Sequence, residues 1–272
     1  MTRQHRIKPG PKAPPSSAPI DLRRFPRRGG DRCIRFVERY VMVPKGTGAK
    51  RRLKLRPWQR QIVRGVLDEP RPRQALVSIP AGNGKSTLAA AVGLYGLLAD
   101  GVEGAQVLVV ASDERQARII QNTARRMVEL EPELGARVQI FKDHLYVPAS
   151  DSVFMALPAD PGALQGWDPS MALVDELHVV TDDTFEAMAA RAGKRDRSLL
   201  LAISTPPKTG QDDSVMRRLV DHGREVSKQG GVVSYRRPVV LLPRVRRPGR
   251  LRRRRRSRVG DRQPGARRLP AP

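Results

Sequence analysis

The chain has 272 residues, enough for one full α/β domain with flanking segments or for two small domains, and too few for a large multidomain machine. Its 52 Lys and Arg against 27 Asp and Glu give a formal charge of +25, which makes a polyanion the first partner to consider, while a single cysteine, Cys33, excludes an internal disulfide or a multi-thiolate zinc site. The longest apolar or small-residue stretch, Leu88 to Ala99, is too short to cross a bilayer, and the N-terminus lacks the apolar core of a secretory signal, so a soluble intracellular protein is expected.

The charge is concentrated at the two ends. Residues 1–35 carry ten Lys or Arg and two Asp, net +8, and residues 236–272 carry fifteen Arg and one Asp, net +14, whereas the 200 residues between them hold 27 basic and 24 acidic groups. This division predicts a flexible, Pro-rich basic arm over 1–35, one ordered domain over 36–235, and a disordered Arg/Pro-rich tail over 236–272. Order is expected to begin near Arg35, with Phe36, Val37, Tyr40 and Val41 at helical spacing. A loop around Gly46–Gly48 follows, and then a helix opened by Pro57 that carries Trp58, Gln59, Ile62, Val63, Val66 and Leu67.

From Ala75 onward, short apolar runs alternate with helical patterns. Strands are predicted at 75–79, 106–111, 137–141, 152–157, 171–174 and 199–204, and helices at 86–98, after Ser112 as a cap, and at 182–191. Strands alternating with helices predict a mostly parallel sheet flanked by helices.

The first strand leads into Ala81, Gly82, Asn83, Gly84, Lys85, Ser86 and Thr87, which in turn open a helix. Two glycines let backbone amides turn around an anion, the helix start adds partial positive charge, Lys85 reaches the outer phosphates and Ser86 holds magnesium. The strict phosphate-loop pattern places a glycine where this chain has Ile79. Ninety residues on, Met171 to Val174 ends in Asp175 and Glu176. At the carboxyl end of a buried strand adjacent to the loop, Asp175 would bind Mg²⁺ and Glu176 would orient and deprotonate an attacking water. The run Leu199 to Ile203 ends in Ser204 and Thr205, hydroxyls placed to sense a γ-phosphate, and Gln59 could read an adenine edge.

These residues resemble the large subunit of tailed-phage terminases, the ATP-driven DNA-packaging motors. The resemblance makes Gly82 to Ser86 a variant Walker A loop, Asp175 and Glu176 the Walker B pair, Ser204 and Thr205 the coupling motif, and Arg56 to Gln59 the adenine-side motif. It covers roughly residues 36–235 and implies a P-loop NTPase domain of the RecA/ASCE kind that uses ATP and Mg²⁺. It further implies double-stranded DNA as substrate, a homo-oligomeric ring on a portal with a small terminase subunit, and the host cytoplasm as location. Two departures stand out. The cation that such loops often carry two or three positions before the Asn is replaced by Pro80 and Ala81, and the acid-poor C-terminal segment cannot supply the metal ligands of the family's nuclease domain, so nuclease activity is not expected.

The tail admits two readings, a grip on DNA phosphates or translation out of frame, and the second is favoured because natural basic tails mix Lys with Arg. Two other functions compete with the motor. Asp175, Glu176, Leu177, His178 also spells a superfamily 2 helicase signature, with His178 read as a helix-start residue, and a basic nucleic-acid-binding protein could hold phosphate without turnover. Arg115, Arg118, Arg125 and Arg126 along one helix read as solvated surface rather than a DNA face.

Overall fold

Alternating apolar runs and helical patterns resolve into helices packed on both faces of one sheet. The computed structural model describes residues 16–192, 195, 197–206, 214–228 and 239–241, with 224–228 and 239–241 described as backbone. In chain order the elements are α1 (Gly29–Tyr40), α2 (Pro57–Leu67), β1 (Gln74–Ser78), α3 (Lys85–Leu98), β2 (Gln106–Val110), α4 (Glu114–Leu130) and α5 (Pro132–Gly135). There follow β3 (Gln139–Ile140), β4 (His144–Val147), β5 (Ser152–Leu157), β6 (Met171–Asp175), α6 (Asp182–Arg191), β7 (Leu199–Ser204), α7 (Val215–Lys228) and β8 (Val239–Leu241).

The sheet runs β3-β4-β5-β2-β6-β7-β1-β8. Its five central strands, β5, β2, β6, β7 and β1, are parallel, and the short strands at both edges are antiparallel. Period-two alternation assigns each strand residue to a face. Val77, Val107, Val109, Leu173, Leu201 and Ile203 join the core beneath α1 to α4, whereas Leu76, Leu108, Val174, Leu200 and Ala202 join a second core beneath α6 and α7. Strands buried on both sides must be apolar throughout, and β6 and β7 are buried at every position. Helix α3 lies close to the sheet because Gly93 and Gly96 carry no side chain: a Cβ at Gly93 would stand 2.4 Å from Phe154 Cε2.

Several expectations need correction. The acid-bearing strand β6 does not adjoin the loop-bearing strand β1, since β7 is inserted between them, pairing with both. Order begins well before Arg35. Ile20 is buried, Tyr40 Oη donates to the Asp21 carbonyl at 2.7 Å, and Asp68 Oδ1 accepts from Gly30 N at 2.7 Å, so α1 is capped by a residue at the end of α2. The strand expected at 137–141 is a two-residue edge pairing with the unforeseen β4, and α4 is capped by Asp113, whose carboxylate accepts from Gln116 N, rather than by Ser112. Helix α7 and strand β8 were not foreseen, and β8 falls within the segment read as a disordered tail. Among the described residues no helix is long and apolar enough to cross a membrane.

Candidate functional site

The carboxyl ends of β1, β7 and β6 lie side by side, with Ser78 opposite Ser204 and Asp175 opposite Ile203. Just beyond them the last carbonyls of β7 hold both flanks of the site: Ile79 N donates to Ser204 O at 2.9 Å, and Glu176 N donates to Ile203 O at 3.1 Å. Ile79, where a strict pattern wants glycine, is thus a buried continuation of the strand, and the turn itself spans Pro80 to Gly84.

Gly82 and Gly84 take φ of +78° and +74°, and a Cβ on either would meet nothing within 4 Å. Glycine is required there by backbone conformation, not by space. Asn83 Nδ2 donates to the Pro80 and Ala81 carbonyls at 3.1 and 3.2 Å, bracing the turn from within. Gly84 is the N-cap of α3, with no side-chain cap, so the first-turn amides of Lys85, Ser86 and Thr87 remain available to an anion.

Lys85 Nζ lies 3.4 Å from Glu176 Oε1. The other oxygen of that carboxylate, Oε2, accepts from Thr205 Oγ1 at 3.2 Å and lies 3.2 Å from His178 Nδ1, which is itself 3.1 Å from Ser204 Oγ. Glu176 adopts φ +49°, ψ +50°, a left-handed conformation costing an L-residue on the order of 1 kcal/mol, a kind of strain that clusters at functional sites. His178, read from sequence as a helix-start residue, is therefore a bridge between the acid and the end of β7. The signal was its position three residues beyond the strand end, within the 3-10 turn Leu177–Val179.

Asp175 is 6% exposed, and its Oδ1 accepts from Glu176 N at 3.0 Å. Burial, and then the neighbouring Glu176 charge, push its pKa up to about 6 against the relief given by that backbone bond and by Lys85. Because the fold raises this pKa above 3.8, ionising Asp175 opposes folding: the contribution of Asp175 to stability is fully present below about pH 4, is lost as pH rises from about 4 to 6, and stays lost above that. In metal-free protein Asp175→Asn should therefore raise unfolding stability by about 2–3 kcal/mol at pH 7 and by little at pH 4. Denaturant titrations of both proteins at the two pH values test this, and an equal difference at both would refute the electrostatic account.

The structure thus brings Gly82, Asn83, Gly84, Lys85, Ser86, Thr87, Asp175, Glu176, Ser204 and Thr205 together at the carboxyl ends of three adjacent strands, β1, β7 and β6. Gln59 is not brought into hydrogen bonding with them. Its Oε1 accepts from Arg56 N at 2.9 Å in the first turn of α2, and Trp58 packs against the core under α1 to α4. On α4, Arg118 pairs with Glu114, and Arg125 and Arg126 pair with Glu129, as a solvated helix face would.

A glycine turn between a strand and a helix, with an acidic pair at the end of the next strand but one, defines a P-loop NTPase. The family described as terminase large subunit, ATPase domain, matches residues 57–219, and the chain belongs to that family. The chain is 32% identical over 191 residues to the terminase large subunit of Enterobacteria phage HK97, a match covering 67% of this chain and 38% of that protein. The crystal structure of the HK97 large terminase superposes with a TM-score of 0.66 at 29% identity, over 73% of this chain and 42% of that one. The large terminase of a thermophilic bacteriophage shares the fold, with a TM-score of 0.50 at 14% identity over 62% of this chain and 42% of that one. The chain matches about two-fifths of the length of these relatives. The superfamily 2 helicase reading is set aside in favour of the family matched.

Proposed function

We propose that this chain is the ATP-hydrolysing motor domain of a phage packaging machine, coupling hydrolysis to movement of double-stranded DNA into a procapsid. The observation that carries this reading is the shared carboxylate of Glu176, paired on one oxygen with the loop cation Lys85 and on the other with Thr205 and His178. In this arrangement Lys85 and the amides of the Gly82–Thr87 turn bind the phosphates, and Lys85, once engaged by them, releases Glu176. The freed oxygen of Glu176 accepts a proton from the attacking water. Thr205 and His178 keep the carboxylate aimed while this happens, and Ser204 links that orientation to β7. Gln59 is proposed to read adenine through its amide nitrogen.

The donor set fits a magnesium ion. Asp175 is a buried carboxylate with no ion-pair partner among the described residues, and Ser86 stands in the first turn of α3. One protein carboxylate with a hydroxyl suits a cation that keeps waters and shares substrate phosphates. Bound by Ser86 and Asp175, it would neutralise charge on the transferring phosphate. Assembly into a ring on a portal, with a small terminase subunit, in the host cytoplasm, is proposed from family membership.

Hydrolysis by the full chain, measured with and without duplex DNA, tests the reading: stimulation is expected, and absence of any Mg²⁺-dependent turnover would end it. His178→Ala should lower kcat by about 10- to 100-fold with little change in the KM for ATP, since the imidazole orients Glu176 rather than touching nucleotide. Steady-state kinetics in which KM rises and kcat holds would show instead that His178 belongs to the binding pocket.

A further inference from the structure

A second cationic feature lies outside the phosphate loop. The segment before α1 and the outer face of α1 enclose a groove of about 510 Å³ lined by Asp21, Arg23, Arg24, Phe25, Arg35, Arg39 and Tyr40. Two of its guanidinium groups lie against aromatic rings. Arg35 Cζ lies 5.7 Å from the Phe25 centroid, Arg39 Cζ lies 5.6 Å from that of Tyr40, and the two rings are 6.0 Å apart.

Several arginines elsewhere are held in ion pairs: Arg60 with Glu38, Arg64 with Asp31, Arg118 with Glu114, Arg125 and Arg126 with the one carboxylate of Glu129, and Arg137 with Glu133. The groove differs. Asp21 is taken by Arg23, while Asp31 and Glu38, the two acids of α1, are taken by arginines of α2. Arg24, Arg35 and Arg39 are therefore left with no ion-pair partner among the described residues.

We infer that this groove grips the phosphodiester backbone of duplex DNA, a site separate from the phosphate loop and built by the N-terminal segment against α1. The inference rests on the DNA-translocation reading above. Several uncompensated guanidiniums lining one groove, spread over a segment and a helix, suit a polyanion, and the planar fork matches phosphate oxygens. Contacts of this kind carry no base sequence information, so the grip is salt-dependent and sequence-blind.

The test is binding of the full chain to a fluorescent duplex, followed by anisotropy across a salt series. Replacing Arg24, Arg35 and Arg39 together by Gln should reduce the slope of log affinity against log salt by about 2–3 and lower affinity on the order of 10- to 100-fold near physiological salt. Replacing the same three by Lys should keep the slope. Replacing the paired Arg118, Arg125 and Arg126 by Gln should leave it near wild type. In unmodified protein, DNA should shield Arg24, Arg35 and Arg39 from an arginine-selective dicarbonyl reagent, read by mass spectrometry, and this measurement is independent of whether the variants fold. If the groove and α4 substitutions behave alike, or the three arginines label equally with and without DNA, the groove is not the grip, and DNA-stimulated hydrolysis by wild type would leave the motor reading standing. If the wild-type chain neither binds DNA nor responds to it, both fall together.

Discussion

Glu176→Gln should abolish turnover while sparing nucleotide binding. The amide cannot accept the proton of an attacking water, so hydrolysis is expected to fall by about 10²- to 10⁴-fold. Binding should hold or tighten, because the 3.4 Å pair between Lys85 Nζ and Glu176 Oε1 competes with phosphate for the lysine, and the amide removes that competitor. Lys85→Ala should behave differently, losing affinity as well as rate. Measuring ATP binding by calorimetry beside single-turnover hydrolysis separates the two effects. Undiminished hydrolysis by the Glu176→Gln protein would show that the carboxylate is structural and that the acid lies elsewhere.

The second large effect concerns stability, at the opposite end of α3. Arg71 Nη1 meets Asp100 Oδ2 at 2.7 Å with both side chains only 6% exposed, and Arg197 Nη2 stands 3.9 Å from Asp100 Oδ1. Asp100 follows α3 directly, its amide bonding back to Tyr95 O, so this pair ties the far end of the phosphate-loop helix to the segment leading into β1. Arg71 Nε and Nη2 and Arg197 Nε are already buried without a partner. Asp100→Ala would leave Arg71 buried and uncompensated, a loss of about 3–5 kcal/mol, or a fall in Tm on the order of 10 °C. By contrast, the exposed Arg125–Glu129 pair contributes at most about 1 kcal/mol. Combining Asp100→Leu with Arg71→Met should recover most of the loss, because the desolvation penalty then disappears on both sides. A thermal melt of Asp100→Ala within about 2 °C of wild type would mean that water reaches the arginine and that burial is not what makes the pair costly.

How much of this was legible in the chain depends on the range of the signal. Central strands β2, β5, β6 and β7 and helix α6 lie within a residue of where apolar runs and caps placed them, because those patterns are local and both sheet faces demand them. The glycine turn before a helix was likewise readable, since φ above zero at positions 82 and 84 is a backbone requirement that glycine meets cheaply. Helix α7 carried a usable signal as well: Val215, Met216, Leu219 and Val220 sit at helical spacing and pack under the second core. By contrast, residues 16–28 looked unstructured because their composition is that of an arm. Their order comes from distant partners, Tyr40 binding the Asp21 carbonyl and Arg137 binding that of Ala18.

The sequence by itself determined an α/β chain, the position of its glycine turn, the acidic pair at a strand end and a charge excess confined to the termini, all properties of neighbouring residues. Only the tertiary structure decided that β7 separates the loop strand from the acid strand, that one carboxylate is shared among Lys85, Thr205 and His178, and that Arg24, Arg35 and Arg39 lack counter-charges among the described residues. Strand order and ion pairing are settled between residues far apart in the chain, by which surfaces bury one another, and no local periodicity encodes that choice.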